Sequence, residues 1–275
     1  GYWFSGWSGN GVTDTSAAIT TVSMTSDRSV SASFTLNAHT LSLSAGTGGT
    51  VSGGGSYGYG ITATITAIPD AGYWFSGWSG TGVADTSTAS TTVAMTSDRS
   101  VSASFTLNAY TLSLSAGTGG SVIGGGSYGY GTTANITATP NTGYTFSGWS
   151  GTGVTDSGAE STTVAMTSDH NVSASFTLNA HTLSLSAGTG GTVSGGGNYG
   201  YGTTAYITAT PNTGYTFSGW SGTGVTDSGA ASSTVSMTDD RNVSASFTLN
   251  THTLSVNAGT GAVSYTHLRA HETHN

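Results

Sequence analysis

Short runs of alternating apolar and polar residues fill this chain, and residues 110–180 show the pattern in full. Leu112, Leu114 and Ala116 alternate with Ser113 and Ser115, the two-residue period of a strand with one buried face. A Gly-rich stretch follows, with room for one short strand around Val122 between tight turns. Ala134, Ile136 and Ala138 alternate with Thr133, Asn135, Thr137 and Thr139, predicting a third strand. Pro140-Asn141-Thr142-Gly143 then predicts a turn, because Pro presets φ while Asn and Gly accept positive φ. Tyr144 and Phe146 open the returning strand. Gly148 is read as a bulge that puts Trp149 on the same side as Phe146. After a loop of roughly a dozen residues, Val164 and Met166 predict a further strand. A turn at Ser168-Asp169-His170 leads into a last one carrying Val172, Ala174, Phe176 and Leu178. No segment keeps a 3.6-residue period over three turns. Any helix is a single turn near Val154–Ala159.

The pattern recurs with a fixed period, the spacing that separates Trp7 from Trp78. Trp7, Trp78, Trp149 and Trp220 are one position, as are His39, Tyr110, His181 and His252. The chain divides into a half unit (1–38), three full repeats (39–109, 110–180 and 181–251) and the start of another (252–262). It starts and stops mid-unit and is read as a piece of a longer protein. A tandem array of small β-rich modules is expected, each marginal alone and braced by its neighbours. The inward phase flips at each joint, from Phe176 and Leu178 on even positions to Leu183 and Leu185 on odd ones. The strand must bend, bulge or change sheet there. With about two residues between modules, and neither Pro nor a Gly run, the joint is expected to be stiff. Three modules in line would reach about 90 Å.

Only 6% of residues are charged, none is Lys, and the formal net charge is −8. Nucleic-acid binding is excluded, since no basic patch can be assembled to neutralise phosphate. Absent cysteine excludes disulfide staples, and absent Lys excludes Lys–Asn isopeptide braces. No stretch approaches the ~18 apolar residues of a membrane span. A surface of Ser, Thr, Gly and Asn is typical of secreted bacterial proteins.

The pattern carried by Leu112, Gly120, Tyr128, Ile136, Pro140, Gly143, Tyr144, Phe146, Gly148, Trp149, Val164, Met166, Asp169, Val172 and Phe176, with their partners one period away, resembles the divergent internalin-B-type B repeat of bacteria. The resemblance covers residues 1 to about 261. It implies an all-β, β-grasp-like module found in tandem on secreted and surface-anchored proteins as a spacer or adhesive segment. It brings no catalytic residues. The family often has an acidic residue where this chain has Gly129 or Tyr130, leaving the surface there more aromatic. After Gly261 the repeat fails. Val263–Thr273 matches one reading frame of a transposase-type sequencing-library adapter, so residues 263–275 are read as a non-native tail and set aside.

Candidate chemistry mostly dissolves into turns. Gly53-Gly54-Gly55-Ser56-Tyr57-Gly58 fits G-x-G-x-x-G, but no helix follows to hold a pyrophosphate. One His per repeat gives a metal no converging ligands, so His39, His181 and His252 are read as surface strand-end residues. His170 stands where other units have Arg28, Arg99 and Arg241, and is read as a solvated turn position. Asp85, Asp156 and Asp227 in the long loop, and Asp27, Asp98, Asp169 and Asp239 in the hairpin turn, are read as turn formers rather than calcium ligands. No cofactor, metal site or catalytic set is expected. Asn135, Asn171 and Asn242 begin glycosylation sequons to which no role is given.

Aromatics are the serious functional signal. Trp3 and Trp74 occupy a position that is Thr145 and Thr216 elsewhere, so that site is expected to be exposed. Tyr57 with Tyr59, Tyr128 with Tyr130, and Tyr199 with Tyr201 repeat in the Gly-rich loop. Such rings stack on sugars or other surfaces, or pack across the module's own edge. Three readings stay open. The chain is an extracellular stalk or adhesive segment of a bacterial surface or secreted protein, with a cell-surface glycan or host matrix protein as partner. Alternatively it is a glycan-binding array gaining avidity by repetition, or an accessory region of a secreted enzyme whose catalytic domain lies elsewhere.

Overall fold

A computed structural model describes residues 1–257 and Thr260. The tail at 263–275 lies outside the described residues. The first half unit forms a two-stranded antiparallel sheet of β1 (Tyr2–Ser8) and β2 (Ser31–Leu36). The first full module contains β3 (Ala38–Ala45), β4 (Gly49–Ser52), β5 (Gly55–Gly58), β6 (Ile61–Pro69), β7 (Tyr73–Gly80), β8 (Ser90–Met95) and β9 (Arg99–Leu107). The next module opens with β10 (Ala109–Ala116). The strands go to two different sheets. A four-stranded sheet runs β5-β3-β9-β7 and a three-stranded sheet runs β4-β6-β8. The central strands of the first, β3 and β9, are parallel, with Leu41 opposite Arg99 and Ala45 opposite Ala103. The other pairs are antiparallel. Counted within its own sheet, the order is second, first, fourth, third around a parallel pair, which is the β-grasp arrangement. The three-stranded sheet covers the inner face. Both sheets recur in the modules starting at 110 and 181, and no described residue is helical.

Strand alternation explains the core. Leu41, Trp78, Val101 and Ala103 from the four-stranded sheet meet Ala63, Ile65, Ala67, Val93 and Met95 from the other. Small Ala positions let the sheets approach, while Ile65, Val93 and Met95 are sealed completely. Burying each of the larger apolar side chains is worth about 1.5–3 kcal/mol, so this compact set is the module's principal source of stability.

Trp enters the core through a bulge. The β7–β9 register shifts between Phe75 and Gly77, returning Trp78 to the side of Phe75, with ring centroids 5.6 Å apart. Gly148 holds the same place at φ +141°, and Phe146 meets Trp149 at 5.6 Å. The loop after this strand, the one place where a single helical turn had room, forms none near Val154–Ala159. Trp149 uses its backbone N–H and its Nε1–H as donors to Ser157 O and Ala159 O, at 2.8 and 3.0 Å. Asp156 accepts from Gly158 N at 2.9 Å, and Val154 bridges to Val164. Those bonds occupy the backbone groups that a helical turn would need.

Candidate functional site

Joints between modules are where the repeated aromatics lie. Strand β9 ends at Leu107 and β10 begins at Ala109, so a single residue, Asn108, separates the two sheets. Its N–H donates to Gly72 O at 2.7 Å, and its carbonyl accepts from Tyr130 N at 2.8 Å. One residue thus ends the pairing of its own module and starts that of the next. The phase flip seen in the sequence is this change of sheet. Leu107 lies over Gly129, where a Cβ would meet its Cδ2 at 2.8 Å. Tyr130 lies over Gly72, where φ is +81° and any Cβ would overlap the ring. The same joint recurs as Asn37 with Gly1 and Tyr59, and as Asn179 with Gly143 and Tyr201.

The paired tyrosines therefore divide. Tyr57, Tyr128 and Tyr199 stand opposite His39, Tyr110 and His181 on the neighbouring strand. Their phenols donate to Gly53 O, Gly124 O and Gly195 O, each at 2.7 Å, and their rings pack against their own module's core. Tyr59, Tyr130 and Tyr201 go to the joints, where they lie beside His39, Tyr110 and His181 at centroid distances of 6.0, 6.3 and 6.1 Å. Tyr59 is 43% exposed, the other two less. Trp74 points the opposite way from Phe75 and is 53% exposed on the outer face of the four-stranded sheet.

Polar residues at the hairpin also differ from their expected roles. Asp98 and Asp169 do more than turn the chain. Each accepts from a backbone N–H at the start of the parallel partner strand, Thr40 N at 2.8 Å and Thr111 N at 2.7 Å. In the last module Asp240, not Asp239, stands one period beyond Asp169 and accepts from Thr182 N at 2.8 Å. His39 and His181 are mostly covered rather than surface residues, with Nδ1 3.4 Å from Asp98 and Asp240.

His170 is a clear departure from the solvated position expected. It is only 6% exposed, and Nδ1 pairs with Thr152 Oγ1 at 2.8 Å while Nε2 has no partner. The cause is the size of the slot. Arg99 fills it with bonds from Nη1 and Nη2 to Thr81 and Thr96 Oγ1, both 2.9 Å, and from Nε to Ala94 O at 3.3 Å. Imidazole is too short to reach as far, so it sinks into the slot. In the long loop, Asp14 and Asp85 hold their carboxyls below the ordinary carboxylate range. The Ser16 and Ser87 hydroxyls are the main cause, with the backbone N–H groups of the same residues adding to it. Among the described residues no three of His, Asp or Glu converge as a metal site, and no helix is long and apolar enough to cross a membrane.

Set beside known proteins, the chain falls in one family. No curated protein matches the chain. Among solved structures it is similar to the Bacillus anthracis TIE protein, with a TM-score of 0.42 and 8% identity over 84% of this chain. The chain spans about half of that structure, 55% of its length. The sequence profile of the divergent InlB B-repeat domain matches residues 1–38, 39–109, 110–180 and 181–251 in succession. With a repeat unit whose Trp bulge, parallel central strands and one-residue joint return in each full repeat, the chain belongs to the divergent InlB B-repeat family.

Proposed function

We propose that this chain is a non-catalytic spacer segment of a bacterial surface or secreted protein, built to hold what it carries at a fixed offset. The joint at Asn108 carries this reading. A single residue connects two strands, both its backbone groups are bonded to opposite sides of the joint, and Leu107 and Tyr130 fill the adjacent glycine surfaces. A flexible tether would instead use a longer, Gly/Ser-rich connection with unpaired backbone. Ser, Thr and Gly at the outer strand positions, with few charges, suit a segment that stays hydrated without attracting charged partners.

Absence of Cys makes the test simple. Thr64→Cys and Asn135→Cys place spin labels on equivalent exposed positions of adjacent modules. A narrow distance distribution between them is expected, broadened by Tyr130→Ala. A broad distribution in the protein carrying Tyr130 overturns the spacer reading.

A further inference from the structure

The outer face of the four-stranded sheet has no part in the core and meets the joints only at the place of Trp74, where the later modules carry Thr145 and Thr216. In the first module its strand positions are Ser56 on β5, Thr40, Ser42 and Ser44 on β3, Ser100, Ser102, Ser104 and Thr106 on β9, and Trp74, Ser76 and Ser79 on β7. Register aligns them in rows across the strands. Ser42 lies opposite Ser100, Ser44 opposite Ser102, Ser102 opposite Ser79, and Thr106 opposite Trp74. Ser44 and Ser102 are bonded hydroxyl to hydroxyl. No charged residue occupies a strand position on this face, and Trp74 is its one large side chain.

Folding does not need Trp74. Thr145 and Thr216 fill the same place in the next two modules, where their hydroxyls donate to Asn179 Oδ1 at 2.7 Å and Asn250 Oδ1 at 2.6 Å. The indole is 53% exposed on a sheet face, at a position that two sister modules fill with Thr, and its ring is available to stack on a ligand. The far end of the face is shaped as well. In the two Thr-bearing modules this end holds a shallow depression, of about 220 Å³ among Ser113, Ser115, Ser150, Asn171 and Ser173 and of about 240 Å³ among their counterparts one period on. In the first module four residues of β9 separate the Trp74 row, at Thr106, from the hydroxyl row of Ser44, Ser102 and Ser79. At strand rise that is about 13 Å, the length of a short run of sugar rings.

From this we infer that the outer face of the four-stranded sheet that carries Trp74 is a binding platform for a neutral, extended β-1,4-linked polysaccharide. The ring faces of such a polymer are apolar and stack on indole, while its edges carry hydroxyls that exchange hydrogen bonds with Ser and Thr. Charge selects the class. A face with no cation gives an acidic polymer no counter-charge, and one with no anion gives a basic polymer none. Trp3, 56% exposed and opposite Thr35, repeats the Trp74 position one period earlier, so two stacking rings add by avidity. Thr-bearing modules then act as spacers beyond the platforms. The inference is independent of the proposed spacer role, which stands or falls on the joint.

Pull-down of the full chain on microcrystalline cellulose and on chitin, with soluble heparin and polygalacturonate as acidic competitors, tests it. Binding to at least one insoluble polymer is expected, undiminished by either competitor. Trp3→Thr with Trp74→Thr installs residues that the sister modules already carry and should cut the bound fraction at least tenfold, with an unchanged unfolding midpoint. Thr145→Trp with Thr216→Trp should raise it. Failure to bind either polymer overturns the inference. Binding unaffected by the Thr substitutions also overturns it, as does binding displaced by the acidic polymers.

Discussion

At the scale of single residues, the same position can be judged against its own copies. Trp149 is 6% exposed, caught between Phe146 and the loop carbonyl at Ala159. Trp149→Ala should cost about 3–5 kcal/mol, much of a small domain's stability. Hydrogen exchange at the Ile136 and Val172 amides would show whether that module alone loses protection. His170 predicts the opposite sign. His170→Arg would supply donors for Thr152, Thr167 and the Ala165 carbonyl, the counterparts of groups that Arg99 already binds, and would leave no orphaned imidazole nitrogen. A gain of about 1–2 kcal/mol is expected from those exchanges, read as slower exchange of the same amides. Asp85 adds a pH-dependent expectation. Its folded pKa is lowered by Ser87, so the loop bond contributes above the unfolded pKa and is lost as pH falls through the lowered value. The Ser87 amide resonance should therefore hold its position at acidities where an ordinary carboxylate has already protonated, and Ser87→Ala should bring the midpoint back up.

At the scale of elements, glycines divide into those that serve a turn and those that also receive a neighbour. Gly60 and Gly72 have nearly the same φ, +78° and +81°, in the left-handed region. A Cβ on Gly60 meets nothing within 4 Å, whereas one on Gly72 collides with the Tyr130 ring. Gly60→Ala should cost about 1–2 kcal/mol for backbone strain alone. Gly72→Ala should cost more, and the excess should disappear in a Tyr130→Ala background. A double-mutant cycle by chemical denaturation measures that coupling. Equal costs at the two glycines would mean that Tyr130 yields freely, and the joint would then be softer than its geometry implies.

For the whole molecule, the repeat makes stability a sum of module terms and joint terms. Each core is closed within its own module, and no core residue is shared with the next. Coupling between neighbours therefore passes through few atoms: the Asn108 backbone pair, Leu107 on Gly129 and Tyr130 on Gly72. Tyr130→Ala should leave every core intact yet reduce cooperativity. Calorimetry of the chain should show the van't Hoff enthalpy falling below the calorimetric one by more than in the unaltered protein.

The sequence by itself determined the period, the strand positions and the inward face, because alternation of apolar with polar residues is a local record of which face is buried. It also pointed to a bulge at Gly148, since Phe146 and Trp149 lie three residues apart and share one side only if the register slips. It located the joint through the flip of phase between Leu178 and Leu183. Only tertiary structure decided how the strands divide between two sheets, because residues such as Leu41 and Ile65 carry the same alternation whichever sheet they join. It also separated Tyr128 from Tyr130. Two residues apart, both are read alike as loop tyrosines, but one bonds to its own Gly124 and the other lies on a glycine from the preceding repeat. His170 was illegible for the same reason. Its neighbours in sequence are polar turn residues, and its burial comes from Thr152 and Gly153, brought to it across the fold.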